Sequence, residues 1–376
     1  MNKFASGKGE IKICVVGAGR AGLIHAENFA GRVPGARLAA ISDPDERAAR
    51  AAIEKLGADG YVKWYKTHTD ALEDRGIDAF VVVTPTKYHR DIVVALASDG
   101  RHVLCEKPMA MNGEECDDMI AAADKRGAIL QIGFMRRFDE NYIKAKEALE
   151  SGAIGDVVMT RSNTRGPSEP QPWMYDLAAS NGPLAEVNSH DIDTLRWFTG
   201  SEFDSVYAIG GNFRSSAAKA GYPDFYDNVV LTASMKNGTQ GIIDGAQGVG
   251  YAYDARVEIL GTKGCIFIGR LRDDVTMSAT GSEAPYENPA TSGTQLGDGA
   301  RSAYTVCVNG VNSGGYPLVK SWRQLFRGAY LAEDAAFAES VRNGTPPRVT
   351  GYDGKMAVMA VNAGNRSIRE KRAVRL

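Results

Sequence analysis

The sequence predicts an α/β chain in two parts: a parallel sheet with crossover helices, then an α+β region built on an antiparallel sheet. Three observations carry this. Over residues 11–134, short apolar runs alternate with helix-like stretches, and strands separated by a helix pair in parallel. Over 224–268, apolar and polar residues alternate within each run and tight-turn signals separate the runs, as in hairpins. The 376 residues are 44% hydrophobic and 24% charged, which suits two soluble domains with proper cores.

Residues 11–16, Ile-Lys-Ile-Cys-Val-Val, read as a fully buried strand, followed by a glycine-rich turn and a helix through Phe29. The run 37–42 closes on Asp43-Pro44, an alanine-rich helix spans 45–56, and a shorter unit surrounds 69–74. Strand 76–84 leads to a helix near 87–98, strand 101–106 to a helix at 113–126, and 127–134 is a last strand. The predicted first domain is 1–134 and the second 135–376. In the second, runs at 228–235, 239–247, 255–260 and 265–269 are joined by Asn237-Gly238 and by Gly261-Thr262-Lys263-Gly264. Residues 278–316, rich in Ser, Gly, Thr and Asn, predict a long loop, and such loops are usually functional. Two helices, near 320–342 and 353–370, end the chain.

Composition excludes several roles. A net charge of −2 with scattered basic residues argues against nucleic acid or an anionic membrane as partner. The first ten residues are polar and lack the apolar centre of a signal peptide. The longest aliphatic-aromatic run, 79–83, is one strand long, far below the roughly 20 residues of a membrane helix. Five dispersed cysteines, none spaced C-x-x-C, suggest neither a disulfide framework nor a zinc site, and no metal is expected. A reducing cytoplasm fits.

Gly17-Ala18-Gly19-Arg20-Ala21-Gly22 follows a strand and opens a helix, the context a dinucleotide-binding turn requires. Gly17 permits the turn, Gly19 lets the backbone approach a pyrophosphate, and Gly22 allows close helix–strand packing. The helix N-terminus offers free amides to the phosphates. Asp43, ending the second strand, can take both adenosine ribose hydroxyls and repels a 2′-phosphate, so NAD is expected rather than NADP. The first domain is thus read as a Rossmann domain.

Carboxyl ends of parallel strands line the ligand crevice. Thr84 and Pro85 end one strand, with Thr86 next, and are candidates for cofactor contact. Glu106 and Lys107 end the next, clamped by Pro108, a residue that can accept a cis peptide aiming Lys107 inward. A lysine there can hydrogen-bond a substrate hydroxyl and stabilise a developing alkoxide. The plain alternative is a surface Glu-Lys pair. His25 reads as a packed, hydrogen-bonded histidine of the first helix, and His89 as a cap or surface residue or one that reaches the site.

Residues 184–199 read as one helix capped by Gly200, with Leu184, Val187, Ile192, Leu195 and Phe198 as its apolar stripe. Glu186, His190 and Asp193 then share a face, where a carboxylate one turn before a histidine can orient it as a base. An ordinary solvated helix face reads the same way. Arg165, Trp173 and Tyr175, in a stretch dense in Pro, Arg and aromatics, can shape a sugar site, and an ordered connection with no ligand reads equally well.

The glycine-rich turn, Asp43, Thr84-Pro85, Glu106-Lys107-Pro108 and Gly133-Phe-Met-Arg-Arg-Phe-Asp139, in this order, resemble the Gfo/Idh/MocA oxidoreductases, closest to the inositol dehydrogenase branch. The resemblance implies a Rossmann domain followed by an α+β domain with a large, mostly antiparallel open sheet. It further implies assembly as dimers or tetramers through that sheet, a catalytic Lys107, and Arg137 as a substrate contact. The family pattern is Asp, His four residues later, then Asp three after that. His190 and Asp193 match, but Glu186 stands where inositol-type members carry Asp, which leaves the substrate open.

Three functions follow as expectations. The first is NAD-dependent oxidation of a secondary hydroxyl of a cyclic polyol or sugar. In it His190 takes the proton, Lys107 polarises the oxygen, Glu186 orients the pair and nicotinamide C4 accepts hydride. The second is glycoside cleavage by transient oxidation with retained NAD. The third is a non-catalytic sensor, against which Lys107 and His190 argue.

Overall fold

The structure, a computed structural model, describes residues 9–269 and 319–376 together with three short strands between them. The first sheet holds β1 (Ile11–Val16), β2 (Ala36–Ser42), β3 (Lys63–Tyr65), β4 (Ala79–Val82), β5 (His102–Glu106) and β6 (Leu130–Gly133). It is covered by α1 (Gly22–Phe29), α2 (Glu46–Lys55), α3 (His68–Glu73), α4 (His89–Ser98) and α5 (Gly113–Arg126). The strand order is β3-β2-β1-β4-β5-β6 and every pairing is parallel. Both faces are covered, which is why β4 and β5 are buried along their whole length. The order reverses between β1 and β4, and a crevice opens outside the carboxyl ends of the strands at such a point.

The chain continues through α6 (Glu140–Glu150), β7 (Val157–Gly166), α7 (Leu177–Ser180), α8 (Gly182–Glu186), α9 (Ser189–Thr199), β8 (Phe203–Gly211) and α10 (Ser216–Gly221). Four strands follow, β9 (Asn228–Met235), β10 (Gln240–Gln247), β11 (Asp254–Gly261) and β12 (Cys265–Ile268), then β13 (Ser278–Thr280). The paired strands β14 (Cys307–Val308) and β15 (Val311–Asn312) precede α11 (Trp322–Leu325), α12 (Arg327–Asn343), α13 (Gly351–Glu370) and β16 (Val374–Arg375). The second sheet has eight strands, ordered β13-β12-β11-β7-β10-β9-β8-β16. Its hairpins turn at the two sites read from sequence, 236–239 and 261–264. One pair, β7 with β10, is parallel, so the sheet is mixed and mostly antiparallel.

Two departures from the expected elements bear on the site. Strand β7, at the centre of the second sheet, buries Thr160, Ser162, Asn163 and Thr164, so it shows no apolar alternation to read. The expected single helix over 184–199 is broken. Val187 N–H and Asn188 N–H both return to the Pro183 carbonyl, and the ladder restarts with Ile192 N–H on Asn188 O. Asn188 is wedged against Gly245 of β10, where even a Cβ would sit 2.0 Å from its side chain. The expected loop over 278–316 lies almost wholly outside the described residues.

The last helices join the two sheets. Phe337, Ala338 and Val341 of α12 share a core with Phe29 and Leu38 of the first domain. Helix α13 presents Gly354 to Met109 and Ile132 and Gly364 to Leu184, and a Cβ at either position would meet its neighbour at 2.7 Å. Those glycines let one helix pack closely on both halves.

Candidate active site

The crevice at the β1/β4 switch is a cavity of about 730 Å³. Gly17, Gly19, Asp43, Thr84 and Pro85 line it, as expected, and so do Lys66, Thr67, His68 and Tyr88, which no motif marks. Gly17 has φ of 107°, and a Cβ there would meet the Val83 carbonyl oxygen at 2.7 Å. At Gly22 a Cβ would lie 1.9 Å from Gly17 O, so strand and helix approach as a dinucleotide turn needs. Nothing lies within 4 Å of the Cβ position at Gly19, the side left open to a ligand. Asp43 is held by two backbone N–H groups, Ala18 at 2.7 Å and Asp45 at 2.8 Å, and Asp45 caps α2. The buried Thr84 hydroxyl has no partner among the described residues. Open glycine, oriented carboxylate and unpaired hydroxyl together fit a dinucleotide.

A second, smaller cavity of about 180 Å³ adjoins this crevice, with Arg20 of the glycine-rich turn in its wall. Glu186, His190, Thr164, Gln247, Tyr253 and Tyr330 are among its lining. His190 begins α9 just past the break and is buried, with Nδ1 lacking any partner among the described residues. Burial holds its imidazole well below the ordinary value of 6.5, and the charges of Lys107 and Arg136 push the same way. A neutral histidine with a free ring nitrogen can accept a proton. Lys107 is not itself part of that lining, but its Nζ donates at 2.8 Å to the carbonyl of Glu186, which is. The Lys107–Pro108 peptide is cis. Glu186 Oε1 accepts from Thr86 at 3.2 Å, and burial raises its carboxyl above the ordinary range against the opposing Lys107.

The helix carrying His190 is anchored by buried polar contacts. Asp191, wholly enclosed, accepts from Arg136 at 2.8 Å, Ser162 at 2.5 Å, Thr164 at 2.9 Å and Asn188 at 2.7 Å. Ser162 and Thr164 of β7 are therefore sockets for this helix. Removing one partner of such a buried pair typically costs about 3–5 kcal/mol.

Several expected site residues sit elsewhere. Asp193 does not reach His190: Arg137 takes it in two bonds, at 2.8 and 2.5 Å, and also bonds Asp353. That pairing holds Arg137 outside the lining of the small cavity. Arg165 pairs with Asp244 on the neighbouring strand β10 and also lies outside the lining. Trp173 is replaced there by the adjacent Met174. Ala21 and Gly22 sit behind the crevice at the start of α1. Glu106 is buried and turned to His25 and the Lys107 amide, because Gly133 opposite leaves room for its carboxylate. His89 is no surface residue: its ring is buried between the carbonyls of Thr84 and Pro108. Tyr253 and Tyr330 went unread because a lone tyrosine far along the chain carries no motif.

This geometry agrees with two family descriptions. Residues 11–134 match the Gfo/Idh/MocA model described as an oxidoreductase family with an NAD-binding Rossmann fold, and 142–267 match its C-terminal domain. The chain belongs to the Gfo/Idh/MocA family. It is an NAD-dependent dehydrogenase of the class that acts on CH–OH groups. It is 36% identical to myo-inositol 2-dehydrogenase of Thermotoga maritima, over 97% of this chain and 98% of the relative. With scyllo-inositol 2-dehydrogenase (NAD(+)) of Bacillus subtilis it shares 31% identity over 98% and 96%. Among solved structures, scyllo-inositol dehydrogenase from Lactobacillus casei, with bound NAD(H) and scyllo-inositol, superposes with a TM-score of 0.78 at 26% identity, covering 97% and 98% of the two chains. Among the described residues, no helix is long and apolar enough to cross a membrane.

Proposed function

We propose that the enzyme oxidises a ring secondary hydroxyl of a cyclic polyol, of inositol type, to a ketone. The observation that carries this is His190, buried beside Lys107 and Arg136 so that its imidazole lies below the ordinary value, with an unpaired ring nitrogen in the wall of a small cavity beside the dinucleotide crevice. Gly17, Gly19, Asp43, Thr84 and Pro85 would hold NAD, which supplies the hydride acceptor at nicotinamide C4. His190 takes the hydroxyl proton as the C–H bond gives up its electron pair. Lys107 Nζ donates to the same oxygen and stabilises the charge it gains. Glu186, bridging to Thr86, holds the lysine through its carbonyl and offers its carboxyl to a neighbouring hydroxyl. The relatives' names support an inositol, and the glutamate at 186 is the residue on which the choice of isomer turns.

The wider reading belongs to the same proposal. The division falls near residue 134, with cofactor on one side and substrate and assembly on the other. The second sheet exposes Tyr207, Ile209, Val230, Leu260 and Phe267 on its outer face, which supports a homodimer or homotetramer through that face. Four described cysteines are free thiols, which supports a cytoplasmic setting. The test is a screen of inositols, aldoses and glycosides with NAD and NADP at 340 nm. Stoichiometric NADH on an inositol supports the proposal. Release of aglycone without net NADH supports glycoside cleavage by transient oxidation instead.

A further inference from the structure

Behind the carboxyl end of β5 lies a cluster of buried groups that this chemistry does not use. His25 and Asn28 come from α1, Glu106 from β5, and Tyr330, Glu333 and Asp334 from α12. His25 Nδ1 is 2.7 Å from Asp334 Oδ1, and Asn28 donates to the other Asp334 oxygen at 2.8 Å. His25 Nε2 faces Glu106 Oε1 at 3.3 Å. Glu106 Oε2 accepts the Lys107 amide N–H at 2.9 Å, and Lys107 Nζ goes on to the Glu186 carbonyl at 2.8 Å. A continuous line of polar contacts therefore runs from α12 through α1 to the wall of the small cavity.

The chemistry of the line is constrained. His25, Asp334 and Glu333 are fully enclosed and Glu106 is 4% exposed. A neutral imidazole has one N–H and can serve only one of its two carboxylate neighbours, whereas an imidazolium serves both. Buried carboxylates need such partners. Glu333 has neither oxygen paired among the described residues, and burial with Glu106 nearby raises its carboxyl well above the ordinary range. His25, Glu106 and Glu333 also bring one nitrogen and two carboxylates within 4.8 Å, a set that could hold a cation. With Nε2 already within bonding distance of Glu106 and Asp334 behind the ring, the cation this geometry favours is a proton on His25.

We propose that His25 is a positioning residue: backed by Asp334, it holds the Glu106 carboxylate on the Lys107 amide and so fixes the lysine that serves the substrate oxygen. The proposal rests on the reading of Lys107 given above. It explains why Glu106 turns away from the crevice, and why β6 carries glycine at 133, where a Cβ would lie 3.0 Å from the Glu106 carboxyl carbon.

Two substitutions separate positioning from packing. His25→Gln keeps a nitrogen where Nε2 stood, toward Glu106. His25→Asn keeps one only where Nδ1 stood, toward Asp334. With NAD and myo- or scyllo-inositol, His25→Asn is expected to lower kcat by about 10–100-fold, the scale of a misplaced catalytic group, with substrate KM little changed. His25→Gln retains most of the wild-type kcat although both variants lose similar thermal stability. In His25→Asn the acid limb of the pH–rate profile also moves up. The groups facing His190 are Lys107 from the end of β5 and Arg136 from the segment after β6, with Glu186 across the break. A displaced ammonium and a newly unbalanced Glu106 both favour the protonated imidazole. A crystal structure of His25→Asn supplies a readout that needs no substrate: Lys107 Nζ should leave the Glu186 carbonyl.

Equal losses in the two variants, an unmoved acid limb, or an unmoved Lys107 would overturn the proposal. So would a stoichiometric divalent metal in protein purified without chelators. Lys107→Ala, measured alongside, separates the two levels. If it turns over normally, the lysine reading itself has failed; if it is inactive while His25→Asn is not, only the positioning role has.

Discussion

His25 and His190 are both enclosed by protein, and burial pushes both imidazoles toward the neutral form, yet they finish on opposite sides of the ordinary value of 6.5. Around His25 the carboxylates of Asp334 and Glu106 outweigh burial and raise the imidazole above that value. Around His190 the neighbours are Lys107 and Arg136, which add to burial and push the imidazole further down. The two regions stand on either side of the Glu106-Lys107 pair, with the carboxylate turned to one and the ammonium to the other. A histidine's role is therefore set by the charges it is folded against.

The strongest way to break this comparison is to remove His190. His190→Ala should lower kcat by about 10²–10⁴-fold, the range for a general base, while NAD titrated by fluorescence still binds. Lys107→Ala should cost about 10²–10³-fold in kcat, as for loss of one donor to a developing oxyanion, again with NAD bound. Retained turnover in either variant would remove that group from the chemistry.

Stability against pH sharpens the contrast with less amplitude. The folded-state pKa of His25 is raised, so its stabilisation is complete below about pH 6.5 and is lost as pH rises. The melting-temperature advantage of wild type over His25→Gln should accordingly shrink above that pH. His190 is depressed, so the unfolded chain takes the proton first as pH falls below 6.5. His190→Gln should therefore gain on wild type as the solution is acidified. The smallest effect is expected at Arg165, whose ion pair with Asp244 lies outside the cavity. Arg165→Ala should leave kcat/KM within about twofold, the scale of a surface change.

What was legible from sequence is what local chemistry encodes. The glycine-rich turn, Asp43 and the strand ends at Thr84 and Glu106 follow from period and turn residues, and the crevice assembles where they place it. Strand β7 was hidden because its buried side chains are polar, and two of them, Ser162 and Thr164, grip Asp191 rather than fill an apolar core. The break at 187–188 was hidden because the apolar positions keep helical spacing across it, and the glycine that makes room for Asn188, Gly245, lies on a distant strand. The His25–Asp334 contact spans 309 residues, so no spacing rule reaches it. Arg137 and Asp193 carried a readable motif, but its partner at Asp353 drew both into an ion-pair network.

The most direct test is an NMR titration of the five histidines, 13C-labelled at Cε1, in wild type and in Lys107→Met. The account predicts that His190 titrates below 6.5 in the wild type and shifts upward when the ammonium is removed, while His25 stays charged well above that value. A His190 that titrates at or above 6.5, or that does not respond to loss of Lys107, would contradict it.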